Sequence, residues 1–242
     1  MKKCVSLTLA IALISRVTAI YHTTFCMPTA RREVSYLDQV VQSYNAQNVF
    51  RMDGVALVVL DMDNSTTNAV KSTPMISLQE RTNAICDTVD TEGLPSCQVR
   101  QQGLDVAAAL IQCAKLTSGW VVLTEDDCEA CSGALDEVVT TLSELNRDST
   151  AMAKFSKFVR ATAFPVDVVL KYAESVHSRL YEFPYDVTVM EQWAPGRRQY
   201  VHARNLFHHV GHVSTEAKRN DDAYRVAYAE LRGDVCFESI QH

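Results

Sequence analysis

The chain has 242 residues, 47% of them apolar and 21% charged, with a formal net charge of −6. That length supports one large domain with a real core, or two small ones, and the composition is that of an ordinary globular protein. The negative balance, with no basic stripe interleaved with aromatics, argues against a general nucleic-acid binder.

The N-terminus reads as a targeting segment. Met1-Lys2-Lys3 is basic, Cys4 to Ser15 is apolar apart from Ser6 and Thr8, and Val17-Thr18-Ala19 is a small-residue ending suited to signal peptidase. The run is shorter than the roughly 20 apolar residues of a membrane span. Residues 1–19 are therefore expected to be a cleaved signal peptide, with an uncleaved signal anchor as the alternative. Residues 20–242 form one expected domain. Membrane contact is expected only through such an anchor.

Eight cysteines suit an oxidising compartment. Loss of Cys4 with the signal leaves Cys26, Cys86, Cys97, Cys113, Cys128, Cys131 and Cys236, an odd set whose connectivity sequence cannot give. Asn64-Ser65-Thr66 is a glycosylation sequon in keeping with secretory routing, through the Golgi or the lumen of the endoplasmic reticulum.

In chain order, Phe25-Cys26-Met27 reads as a first strand. Arg31 to Tyr44 follows as an amphipathic helix with Val34, Leu37, Val40, Val41 and Tyr44 on one face. Val55 to Leu60 is a buried strand ending in Asp61-Met62-Asp63. Residues 64–100 give few elements. Leu104 to Ala114 is a helix, and Trp120-Val-Val-Leu-Thr124, bounded by Ser118-Gly119, is a second buried strand. Leu135 to Leu145 is helical, as is Phe164 to Leu180 with Pro165 near its start. Tyr200-Val201 is a late strand. Strands alternating with helices predict an α/β fold with a mostly parallel sheet flanked by helices.

The acids Glu125-Asp126-Asp127 directly follow the Trp120 strand. Ligands of open α/β sheets bind at the C-terminal ends of parallel strands. Crowded carboxylates repel and call for a cation or a proton, and a hard divalent ion there can also hold a diphosphate. The competing reading makes the triplet a helix N-cap. Cys128-x-x-Cys131 reads as a disulfide or inert thiols, with half of a zinc site completed by His208, His209 and His212 as the alternative. His209 reads as a core histidine or a metal ligand. Asp186, in Pro184-Tyr185-Asp186, reads as a helix cap when taken alone.

Taken in order, Met27-Pro28-Thr29-Ala30-Arg31-Arg32-Glu33-Val34, the strand ending in acids, Gln102-Gly103-Leu104-Asp105 and Glu125-Asp126-Asp127 resemble the N-acetylglucosaminyltransferase IV family. The stretch from Tyr200 to Thr215, with His209-Val210-Gly211, resembles the same superfamily, above all its branch that adds N-acetylgalactosamine to GPI anchors. The resemblance covers roughly residues 24 to 216.

It implies a GT-A-like fold and a metal-dependent, inverting glycosyltransferase moving a hexosamine from a UDP-sugar to a glycan or glycolipid acceptor. Asp127 and His209 would hold Mn²⁺ or Mg²⁺, and Glu125 and Asp126 would serve the nucleotide and sugar. Asp186 would be the catalytic base. Thr29, Arg31, Gln102 and Asp105 fall in donor-binding motifs, and Arg100 lies one position away from a family basic residue. No stretch matches the lectin-like module or the membrane hairpin of these relatives, which leaves the acceptor open. The alternative is a non-catalytic secretory protein on the same fold.

Overall fold

The structure is a computed structural model and describes residues 21–29, 35–62, 76–79, 97–156, 161–178, 196–210 and 236. The described strands and helices run β1 (Tyr21–Thr29), α1 (Leu37–Ala46), β2 (Val55–Asp61), β3 (Ile76–Gln79), α2 (Cys97–Leu116), β4 (Thr117–Thr124), β5 (Cys128–Ala130), α3 (Ala134–Glu144), β6 (Thr150–Lys154), β7 (Ala161–Pro165), α4 (Val166–Ser178), β8 (Arg198–Val201) and β9 (Phe207–His209). A short 3-10 turn, Val49–Arg51, leads into β2.

Seven strands form one sheet in the order β3-β2-β1-β4-β7-β6-β8. Its first four strands are mutually parallel, β7 is antiparallel to both neighbours, and β8 is parallel to β6. The sheet is thus mostly parallel, with β7 as its reversed member. β5 and β9 pair antiparallel in a separate two-stranded ribbon.

The continuous apolar runs of β1, β2 and β4 follow from cover on both faces. Side chains alternate across a strand. Phe25, Met27, Leu57, Val59 and Val122 therefore meet α1 and α3 on one side. Cys26, Val58, Leu60, Val121 and Leu123 meet α2 and α4 on the other. Each such side chain contributes roughly 1.5–3 kcal/mol when fully buried. The result is an α/β/α sandwich, as the alternating pattern predicts.

Several boundaries differ from the sequence expectation. The first helix begins at Leu37 rather than Arg31, and residues 30–34 lie outside the described residues. Its N-cap, Tyr36, makes no side-chain capping bond, so no capping residue marks the start. The expected helix from Phe164 begins at Val166 instead. Phe164 and Pro165 end β7, opposite Val121 and Trp120. A proline suits the last residue of a strand as well as the first turn of a helix, because it donates no hydrogen bond. β4 starts at Thr117, so Ser118-Gly119 lies inside the strand and does not bound it. Gly119 is needed there, since a Cβ would run into the His22 carbonyl oxygen of β1.

Cys26–Cys113 ties β1 to α2, and Cys131–Cys236 ties the end of β5 to a residue late in the chain. The Cys128/Cys131 pair is therefore no half of a zinc site. Cys131 is oxidised with Cys236, while Cys128 is a buried thiol. Among the described residues no helix is long and apolar enough to cross a membrane. The expected signal segment and the sequon at Asn64 lie outside the described residues.

Candidate functional site

β1 and β4 are neighbours with the same direction, so Thr29 and Glu125 emerge at the same C-terminal edge of the sheet. Beyond Thr124 the chain turns back at once: the Cys128 N–H donates to the Glu125 carbonyl at 3.3 Å. Asp126 and Asp127 occupy this turn and lead into β5. The triplet therefore caps no helix, since α3 begins only at Ala134.

The ribbon brings the histidine to the acids. In β5–β9, Cys128 lies opposite His209, Glu129 opposite His208 and Ala130 opposite Phe207. The Val210 N–H extends the pairing by donating to the Asp127 carbonyl at 2.9 Å. His209 Nε2 then lies 3.3 Å from Asp127 Oδ2, with both side chains 8% exposed. One ligand atom each from Glu125, Asp127 and His209 fall within 4.8 Å of one another. Asp126 is turned elsewhere and accepts a hydrogen bond from Thr29 Oγ1 at 2.6 Å.

Two carboxylates this close repel, and a divalent cation would relieve the repulsion. Their oxygens suit Mg²⁺ or Mn²⁺, and the imidazole shifts the donor set toward a transition metal such as Mn²⁺. The residues therefore fit the ion the sequence resemblance implies. Glu125, expected to serve the nucleotide and sugar, falls geometrically with Asp127 and His209.

The helix α2 reaches the same edge by length. It runs back along the sheet and delivers Leu116 into the start of β4. Twenty helical residues span about 30 Å, and eight extended residues span about 26 Å, so the N-terminal part of α2 lies at the level of the acids. Arg100, Gln102 and Asp105 are in that part. Arg100 and Asp105 are each 7% exposed, and Asp105 accepts from Gln101 Nε2 at 2.8 Å. Arg31 and Asp186 lie outside the described residues.

Sequence reasoning noted the acids after β2 without assigning them a role. Asp61 closes that strand directly beside Thr29 in register and is 2% exposed. Sequence reasoning placed Tyr44 on an apolar helix face without its role beside the ribbon, and it missed Glu137. Tyr44 of α1 is fully buried beside Phe25 and Phe207, with ring centroids 5.6 and 6.3 Å away. Burial pushes its phenol far above the usual tyrosine range. Downstream, Glu137 of α3 holds the approach to β9. It accepts from Arg204 at 2.7 Å and lies 3.1 Å from His202 Nε2. No pattern signals the Glu137 contacts, since they join polar residues far apart in the chain.

No protein-family model matches the chain, and no curated protein matches it. Solved structures do. One is a glycosyltransferase involved in the glycosylation of the major capsid of PBCV-1, at 13% identity and TM-score 0.45, over 86% of this chain and 99% of that one. Another is the mannosyltransferase PcManGT from Pyrobaculum calidifontis in complex with GDP-Man and Mn²⁺, at 17% identity and TM-score 0.47, over 88% of this chain and 62% of that one. A third is 4-diphosphocytidyl-2C-methyl-D-erythritol synthase from Anaerococcus prevotii, at 10% identity and TM-score 0.49, over 87% and 96%. These matches single out no branch of the N-acetylglucosaminyltransferase IV superfamily.

Proposed function

We propose that the chain is a metal-dependent, inverting glycosyltransferase that moves a hexosamine, GlcNAc or GalNAc, from a UDP-sugar to a glycan acceptor. One observation carries the reading: Glu125, Asp127 and His209 converge within 4.8 Å at the carboxyl edge of a mostly parallel sheet. The order of sequence motifs supplies the donor and acceptor classes, a GPI anchor or an N-glycan among the latter. The chain's cysteines and N-terminal segment support work in the secretory pathway.

In this reading Asp127 and His209 hold Mn²⁺, with Glu125 beside them. The ion, when bound, neutralises charge on the departing diphosphate. Asp126, steadied by Thr29, and the α2 residues Arg100, Gln102 and Asp105 serve the donor. Asp186 takes the proton of the acceptor hydroxyl as the new bond forms. Hydrolysis of a panel of UDP-sugars, with and without Mn²⁺, tests the proposal. Turnover of a UDP-hexosamine only with the metal is expected. Inertness toward every donor would favour a binding protein on the same fold.

A further inference from the structure

Among the described residues the ribbon that carries His209 has two strands, and a two-stranded pair is marginal by itself. In an antiparallel pair alternate residues turn their main-chain groups away from the partner. Asp127 and Cys131 face β9, where they meet Val210 and Leu206. Ala130 faces the other way and needs partners on the outer edge of β5.

Those partners come from α1 and its C-cap residue, Gln47. The Ala130 N–H donates to Ser43 Oγ at 3.0 Å, and the Ala130 carbonyl accepts from Gln47 Nε2 at 3.1 Å. Ser43 Oγ keeps its own proton on the Val40 carbonyl at 2.7 Å, which leaves its lone pairs turned to Ala130. The other end of the Gln47 amide accepts from the Leu135 N–H at 3.1 Å, in the first turn of α3. That turn has Gly133 as its N-cap and no side-chain cap of its own. One amide thus joins α1, β5 and α3, and one hydroxyl completes the edge. Tyr44, between them in sequence, packs on Phe207 of β9.

We propose that Ser43 and Gln47 are positioning residues of the metal site, taking the place of a third strand so that His209 is held against Asp127. The inference takes its functional meaning from the metal reading above. Polar groups behind metal ligands typically govern affinity by about 10–100-fold.

The test uses the full chain with Ser43→Ala, Gln47→Glu and Ser43→Thr. Gln47→Glu still accepts from Leu135 but gives the Ala130 carbonyl no proton. Mn²⁺ alone, titrated calorimetrically well below the melting temperature, should bind Ser43→Ala and Gln47→Glu about tenfold more weakly than the parent chain. Ser43→Thr, which keeps the oxygen, should restore the parent affinity. In the metal-free proteins, amide exchange at Ala130 and Val210 should quicken in the first two variants, with no change at Val58 and Val122 of the sheet. Lowered melting temperature with unchanged Mn²⁺ affinity and unchanged Val210 exchange would show a merely structural role and overturn the proposal. A parent chain that binds no Mn²⁺ would remove the metal reading alone, and the Val210 exchange would still decide whether α1 positions the ribbon.

Discussion

His209 Nε2 lies 3.3 Å from Asp127 Oδ2, and the main chain repeats the contact one residue on, where the Val210 N–H meets the Asp127 carbonyl at 2.9 Å. Side chain and backbone together lock the imidazole to the carboxylate. Asp127→Asn and His209→Ala should each weaken Mn²⁺ and UDP binding together, by at least about tenfold, since a ligand matters no less than the groups behind it. Calorimetry with Mn²⁺ and then UDP gives the answer. Parent-like titrations in both variants would remove the metal role.

Asp186→Asn separates turnover from binding. If Asp186 is the base, the variant should keep donor affinity and melting temperature while transfer falls by about 10²–10⁴-fold. Normal transfer by the folded variant would place the base elsewhere.

Thr29 holds Asp126 by a short hydroxyl-to-carboxylate bond of 2.6 Å at the sheet edge. Thr29→Val keeps the shape and removes the donor. Hydrogen bonds to charged groups contribute about 1.5–3 kcal/mol, so urea unfolding should show a loss of that order. UDP affinity should fall with it, because Asp126 loses its restraint. An unchanged unfolding midpoint would mean that Asp126 is held by other contacts.

Gly119→Ala should destabilise the sheet without touching the site chemistry. The added methyl meets the His22 carbonyl oxygen, part of a backbone that cannot rotate away. Overpacking of this kind costs about 1–3 kcal/mol, and a main-chain obstacle belongs at the upper end. A thermal melt at parent temperature would contradict the close approach of β1 and β4.

The disulfide Cys26–Cys113 closes a long loop, with a sequence separation of 87. Replacing both residues with Ser should cost about 2–5 kcal/mol, chiefly by freeing the unfolded chain. Denaturant curves of oxidised parent and double variant measure it, and equal stabilities would mean that the link constrains little.

The sequence makes the centre of the fold plain. β2 and the centres of β1 and β4, residues 25–27 and 120–123, are short runs apolar on both faces, which leaves few readings other than buried strands. The acids after β4 stood out because charge follows an apolar run without a break. The ribbon did not stand out. β5 and β9 have three residues each, too few for alternation to register. β6 is built largely of Ala, Met and Thr, and it carries neither a β-branched run nor a turn signal. Pro165 pointed to a helix start two residues early, at Phe164 rather than Val166, because its local preference fits both roles. The pairing of His209 with Asp127 needed the whole sheet in place, and Ser43 and Gln47 are ordinary polar residues until Ala130 is brought against them.

β9 is the last described strand, and it delivers the imidazole to acids laid down long before it. A chain emerging from the ribosome at about 5–20 residues per second folds from its N-terminal side. β1, β2 and β4 can assemble with their helices while the segment carrying His209 is still unmade. For those seconds the turn at Glu125 to Asp127 has carboxylates and no histidine, and the inner edge of β5 is open. The order of the strands thus makes the Glu125, Asp127 and His209 cluster complete only after β9 has been made. A product stopped before residue 207 would keep the apolar layer under α2 and α4, lose Phe207 and Val210 from the layer under α1 and α3, and lack the site.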